Sequence, residues 1–137
     1  MTFLLYIFLV SSSCNNRKPT AVPSTNGYLS SHVADTKGCG SSGSPWIISA
    51  NPGQTIQLDL IDFAASSQTS NLVSCRSVYG FILERALGIN HTICGGRHRE
   101  GALYTSKTNS IEINILKRGK RGESQFVIEY KGKYVCT

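Results

Sequence analysis

The stretch that most limits what this chain can become runs from Ser44 to Phe63, SPWIISANPGQTIQLDLIDF. Trp46, Ile47 and Ile48 form a short apolar run, and Asn51, Pro52 and Gly53 carry turn chemistry. After the turn, Ile56, Leu58 and Leu60 alternate with Gln57, Asp59 and Ile61, and a period of two is the signature of a strand with one buried face. With 137 residues there is room for one core and little else. Charged residues make up only 16% and Gly, Ser and Thr are plentiful, which suits short strands joined by polar turns. The expectation is a single all-β domain built as a sandwich.

The downstream chain repeats the theme. Cys75 opens the run CRSVYGFILE, in which Val78, Phe81 and Leu83 fit one set of inward positions, Tyr79 and Ile82 take other faces, and Glu84 ends the strand. Gly80 interrupts it and marks a bulge. A loop through Gly88 leads to Cys94, Gly95 and Gly96; a strand over Leu103 to Ser106 follows. Ser110 to Leu116 alternates Ile111, Ile113 and Ile115 with Glu112 and Asn114, and Gln125 to Tyr130 alternates Phe126, Ile128 and Tyr130 with Val127 and Glu129. These two read as a hairpin-like closing pair around the basic loop KRGKRGE. Upstream, Cys14 to Gly38 is polar, and Asn26 to Leu29 is the one stretch there that could pair as a strand.

Phe3 to Val10 is an apolar block too short to span a bilayer, and Ser11, Ser12 and Ser13 after it are small residues of the kind a signal peptidase accepts. No Lys or Arg precedes the block; the competing reading is a buried N-terminal strand. We read residues 1–13 as a signal peptide and 14–137 as the mature domain, secreted and extracellular, with no transmembrane segment. Five cysteines then point to disulfides. The Ser-Ser-Ser-Cys junction lacks the leucine of a bacterial lipoprotein site, so Cys14 is not read as lipidated. A formal charge of +6 in a secreted chain favours sulfated polysaccharide and anionic cell surfaces over nucleic acid.

The order of Cys39, Trp46, the Pro-Gly turn and the alternating strand into Asp62 and Phe63 resembles the heart of a CUB domain. Gly27, Tyr28, Leu29 and Ser30 stand where that family has a short Gly-x-hydrophobic-x-Ser strand. Ser-x-x-Asn-x-Ile-x-Ile and Phe-x-Ile-x-Tyr resemble its last part, so the likeness covers Cys14 to about Lys131. It implies a disulfide-braced jelly-roll sandwich of two antiparallel sheets, with disulfides Cys14 to Cys39 and Cys75 to Cys94. The first closes a loop worth roughly 3.5 kcal/mol of chain entropy and the second roughly 3 kcal/mol. It leaves Cys136 unpaired, as an intermolecular half-cystine, a free thiol, or the mark of a chain cut from a longer protein. Calcium-binding members of the family use a Glu and two Asp as oxygen ligands. Here Val78 takes the first Asp position, Leu116 and Lys117 fall near the second, and the loop from Cys14 to Cys39 offers Asp35 but no Glu, so the resemblance implies a variant that binds no calcium. Asp59 reads as a solvated strand residue and Asp62 as a turn residue.

The remaining motifs argue for binding, not catalysis. Gly38, Gly40 and Gly43 satisfy GxGxxG, but no strand precedes them and no helix follows to hold a pyrophosphate. His91, Cys94 and His98 have metal-like spacing without a nameable fourth ligand, and no nucleophile, base or carboxylate pair stands out; neither cofactor nor metal is expected. Trp46 reads as a core residue. Asn90, His91 and Thr92 form an N-glycosylation sequon in the loop before Cys94. Lys117, Arg118, Lys120 and Arg121, joined by Arg97 and Arg99, form a candidate polyanion site, although such a run also fits a solvated loop or, as Arg-x-Lys-Arg before Gly122, a processing sequence. The expected function is extracellular protein–protein interaction, with binding of heparan-type sulfated polysaccharide through 117–121 as the alternative.

Overall fold

The computed structural model describes residues 20–31, 40, 44–63, 77–95, 99–116 and 125–135. Among them run β1 (Thr20–Ala21), β2 (Gly27–Ser30), β3 (Trp46–Ala50), β4 (Gln54–Asp62), β5 (Ser77–Glu84), β6 (Ile89–Gly95), β7 (Glu100–Thr105), β8 (Ser110–Ile115) and β9 (Phe126–Tyr134). They form a five-stranded sheet, order β1-β3-β8-β5-β6, and a four-stranded sheet, order β2-β9-β4-β7. One buried cluster joins the two: Trp46, Ile48, Ile82, Ile93, Ile111 and Ile113 from the first meet Ile56, Leu58, Leu60, Phe126 and Ile128 from the second. The all-β expectation holds. Among the described residues no helix is long and apolar enough to cross a membrane.

The opening strands obey their pattern. In β4 the residues alternate between buried and half-buried along its whole length, and β8 buries Ile111, Ile113 and Ile115 as its period of two requires. The turn between β3 and β4 is built on Pro52 and Gly53: the Gln54 N–H donates to the Asn51 carbonyl at 3.0 Å and Gly53 adopts φ 83°. Glycine at that position of a Pro-Gly turn avoids the steric cost of a left-handed backbone. Trp46 is buried, and a Cβ on Gly40 would fall 2.1 Å from its indole nitrogen, so the segment beside Cys39 lies directly on the ring.

Five expectations are corrected. β8 and β9 are not a hairpin: β8 pairs with β3 and β5 in one sheet, β9 with β2 and β4 in the other. Their matching alternation arises because each has one face on the shared core, which two strands can do from opposite sheets. Second, β5 faces the other way round. Tyr79, Ile82 and Glu84 are buried and Val78, Phe81 and Leu83 are half-buried outside; the pairing with β6 shifts between Val78 and Gly80, which keeps Val78 on the face of Phe81 and Leu83. The bulge falls at Gly80 as expected, and glycine is required there by contact: a Cβ would lie 2.1 Å from the Asn114 carbonyl oxygen. Third, Asp62 is no turn residue but the fully buried end of β4. Fourth, residues 89–95 are the edge strand β6, not a loop. Fifth, β1 also pairs, and it does so parallel to β3, Thr20 with Ser49 and Ala21 with Ala50, so the five-stranded sheet is not wholly antiparallel. β9 also runs on past Tyr130 to Tyr134; Gly132 lets the chain pass close, its N–H donating to the Val22 carbonyl at 3.2 Å.

Candidate functional site

The strand directions gather particular chain segments at one end of the sandwich. Asp62 ends β4 opposite Phe126, which starts β9. The Asp62 N–H donates to the Arg99 carbonyl at 2.7 Å, just ahead of β7, and the Leu116 N–H, just past β8, donates to the Tyr79 carbonyl at 2.8 Å. The Ile115 N–H reaches the Gly40 carbonyl at 2.6 Å, and Ser31 exchanges hydrogen bonds with the Phe126 backbone. The described residues flanking 32–39, 64–76, 96–98 and 117–124 therefore all sit at this end.

Its floor is rigid. The Tyr79 ring stacks on Phe126 across the two sheets, centroids 4.7 Å apart and planes 7° from parallel. The Tyr79 hydroxyl donates to the Asp62 carboxylate, 3.0 Å from each oxygen, which gives a fully buried carboxylate the donor it needs there. A Cβ on Gly95 would meet the Tyr79 ring at 2.2 Å, so only glycine lets β6 pass.

Of the basic candidates, Arg99 is described and is exposed beside this floor. Arg97, Lys117, Arg118, Lys120 and Arg121 lie outside the described residues, but the residues on either side of their segments, Gly95 with Arg99 and Leu116 with Gln125, are at the same end. The expectation of a hairpin tip for 117–121 does not hold, because β8 and β9 lie in different sheets. The Cys14, Cys39, Cys75 and Cys136 assignments lie outside the described residues, as does His98. Cys94 is disulfide-bonded and sits on β6 opposite Val78. Val78, on the outward face of β5, presents no oxygen ligand, and among the described residues no three His, Cys, Asp or Glu side chains group as a metal site. Asn90 is exposed on β6, and His91 turns inward against Tyr104, ring centroids 5.1 Å apart.

Two features escaped sequence reasoning. Where the edge strands β6 and β7 face each other, a cleft of about 350 Å³ is lined by Leu60, His91, Thr92, Cys94, Gly101, Ala102 and Leu103. It joins residues from both sheets, so no single periodic segment announces it. The other feature lies at the opposite end, where the fully buried Glu84 accepts hydrogen bonds from the Tyr104 hydroxyl (2.6 Å), the Thr108 hydroxyl (2.6 Å), the Thr108 N–H (2.6 Å) and the Lys107 N–H (3.0 Å). Burial pushes its pKa up, but the bonds from Thr108, Tyr104 and the Lys107 and Thr108 backbone outweigh that and hold the carboxyl below its ordinary value. Burial and the Glu84 carboxylate together push Tyr104 up to about 12. A charged residue ending an otherwise apolar strand was the available signal.

Compared with known proteins, the chain matches no protein-family model and no curated protein.

Proposed function

We propose that this chain is a secreted, non-catalytic CUB-like module, a jelly roll over residues 14–137 behind a signal peptide over 1–13, that binds an extracellular protein through the loops at the Phe126 end. The observation that carries the reading is the order in which the chain visits the sheets: among the described strands, every connection except β5 to β6 passes from one sheet to the other. That interleaving is what a jelly roll requires. It also leaves the connections at the Phe126 end free to vary without disturbing the core, which is how sandwich modules carry binding sites. The bonded Cys94 supports an oxidising compartment. Binding of the tetramerised secreted protein to an array of purified ectodomains, read by interferometry, tests this. Saturable binding that Arg99→Ser weakens is expected, and no saturable binding to any member of the array would refute it.

The placement at one end of Arg99 and of the described residues that flank 96–98 and 117–124 favours a second reading, a sulfated polysaccharide ligand. Lys117, Arg118, Lys120 and Arg121 are four cations within five residues of sequence; such a run raises local potential without the cost of burial, and the attraction weakens with salt. On a heparin column the parent should elute well after a variant with Lys117, Arg118, Lys120 and Arg121 changed to Ser. Equal elution returns the segment to a solvated loop.

A further inference from the structure

The outward face of β5 holds Phe81 and Leu83, two large apolar side chains on the wrong side of the sheet for the core. Their cross-strand neighbours form a polar frame. On β8, Asn114 lies opposite Phe81 and Glu112 opposite Leu83; Glu112 is tied to Arg85 at 2.6 Å. On β6, Thr92 lies opposite Phe81 and Asn90 opposite Leu83. Those two are the ends of the sequon Asn90-His91-Thr92, and the middle residue fixes which way they point: His91 pairs with the buried Ile82 and packs inward on Tyr104. In a strand its neighbours must then face outward, onto the side that carries Phe81 and Leu83.

We infer that Asn90 carries an N-linked glycan whose first sugar lies over Phe81 and Leu83 and shields this stripe from water. The inference rests on the secreted reading above. Directly opposed side chains on one face stand about 5 Å apart and diagonal ones about 7 Å, so a sugar on Asn90 begins beside Leu83 and reaches Phe81 diagonally. The axial C–H face of a pyranose is apolar and packs on an aromatic ring, while its hydroxyls stay in water. β6 is the edge of the sheet, so no further strand of the described residues obstructs the attachment point. The glycan thereby also blocks the exposed edge of β6 from pairing with another chain.

The test is a double-mutant comparison on full-length protein from a eukaryotic secretory host: parent, Asn90→Gln, Phe81→Thr and the double variant, with the parent also trimmed enzymatically to a single sugar. In the parent background, losing the glycan should lower Tm by about 3 °C and raise binding of an apolar dye, and trimming to one sugar should preserve most of the Tm. In the Phe81→Thr background, where only Leu83 remains to be covered, the same loss should shift both less than half as much. Equal shifts in both backgrounds, or a secreted, disulfide-bonded protein with no sugar on Asn90, overturn the inference and leave the secreted reading standing. Failure of the chain to enter the secretory pathway overturns both. If removing the glycan leaves the monomer unchanged, or if the glycosylated parent already self-associates through Phe81, the stripe is a protein interface and the inference falls. Leu83→Thr, on the same outward face, repeats the comparison should Phe81→Thr fold poorly.

Discussion

Replacing Glu84 should cost this fold more than any surface charge. The carboxylate is fully buried and receives four donors, two of them the backbone N–H groups of Lys107 and Thr108 that shape the turn between β7 and β8. Glu84→Ala leaves those two amides without their acceptor, and each orphaned buried donor costs about 1–3 kcal/mol. Because the turn can admit some water and the hydroxyls of Tyr104 and Thr108 can rotate, the total falls in the lower half of the resulting range of about 2–6 kcal/mol, at about 3 kcal/mol. Out of the 5–15 kcal/mol typical of a domain, that is a large share and should lower Tm by about 10 °C. The pH dependence has a definite sign. The folded-state pKa of Glu84 is depressed, so its contribution is present above the unfolded carboxyl value and is lost as pH falls through the folded one. Glu84→Gln keeps the shape, cannot titrate, and should flatten the loss of stability on acidification below about pH 4.5. The assay is urea unfolding followed by circular dichroism at several pH values. A Glu84→Ala variant melting within about 2 °C of the parent, or a Glu84→Gln variant as acid-sensitive as the parent, would refute the argument that this carboxylate organises the turn.

Gly80→Ala places a methyl group against the Asn114 carbonyl and should destabilise by about 2 kcal/mol in thermal melts, whereas Gly101→Ala, with nothing near its Cβ, should be close to neutral. Non-reducing peptide mapping should join Cys94 to Cys75, whose chain enters the strand paired with β6; a Cys94 peptide joined to Cys136 would sink the pairing that the CUB resemblance implies. Millimolar Ca²⁺ should leave Tm unchanged, since Val78 offers no oxygen where calcium-binding CUB domains have Asp, and a clear rise would show native-state binding that this reading denies. Ultraviolet titration should show a component ionising at about pH 12 that Tyr104→Phe removes.

Much of the fold is legible residue by residue. Strands β3, β4, β8 and most of β9 follow from apolar periodicity, and the Asn51–Gln54 turn follows from Pro and Gly, because backbone sterics and one buried face are local properties. The orientation of β5 is not local. Both of its faces carry apolar side chains, and what turns Tyr79, Ile82 and Glu84 inward is partly the set of donors waiting on the β7–β8 turn and partly the close approach at Gly80. Asp62 is misread for the same reason: a carboxylate near a strand end looks solvated until a tyrosine from the other sheet supplies its donor.

By itself the sequence determined an all-β chain with a Trp-centred core, a bulge at Gly80, a sequon and a run of cations. Only the tertiary structure decided that β8 and β9 part into different sheets, that the sequon lies on an edge strand facing Phe81 and Leu83, and that the flanks of the basic segments meet at one end. The physical reason is one of range. A period of two records that a strand has a buried face, but the partner across that face is chosen by packing and hydrogen bonding between residues far apart in the chain, and no periodicity within a segment encodes it.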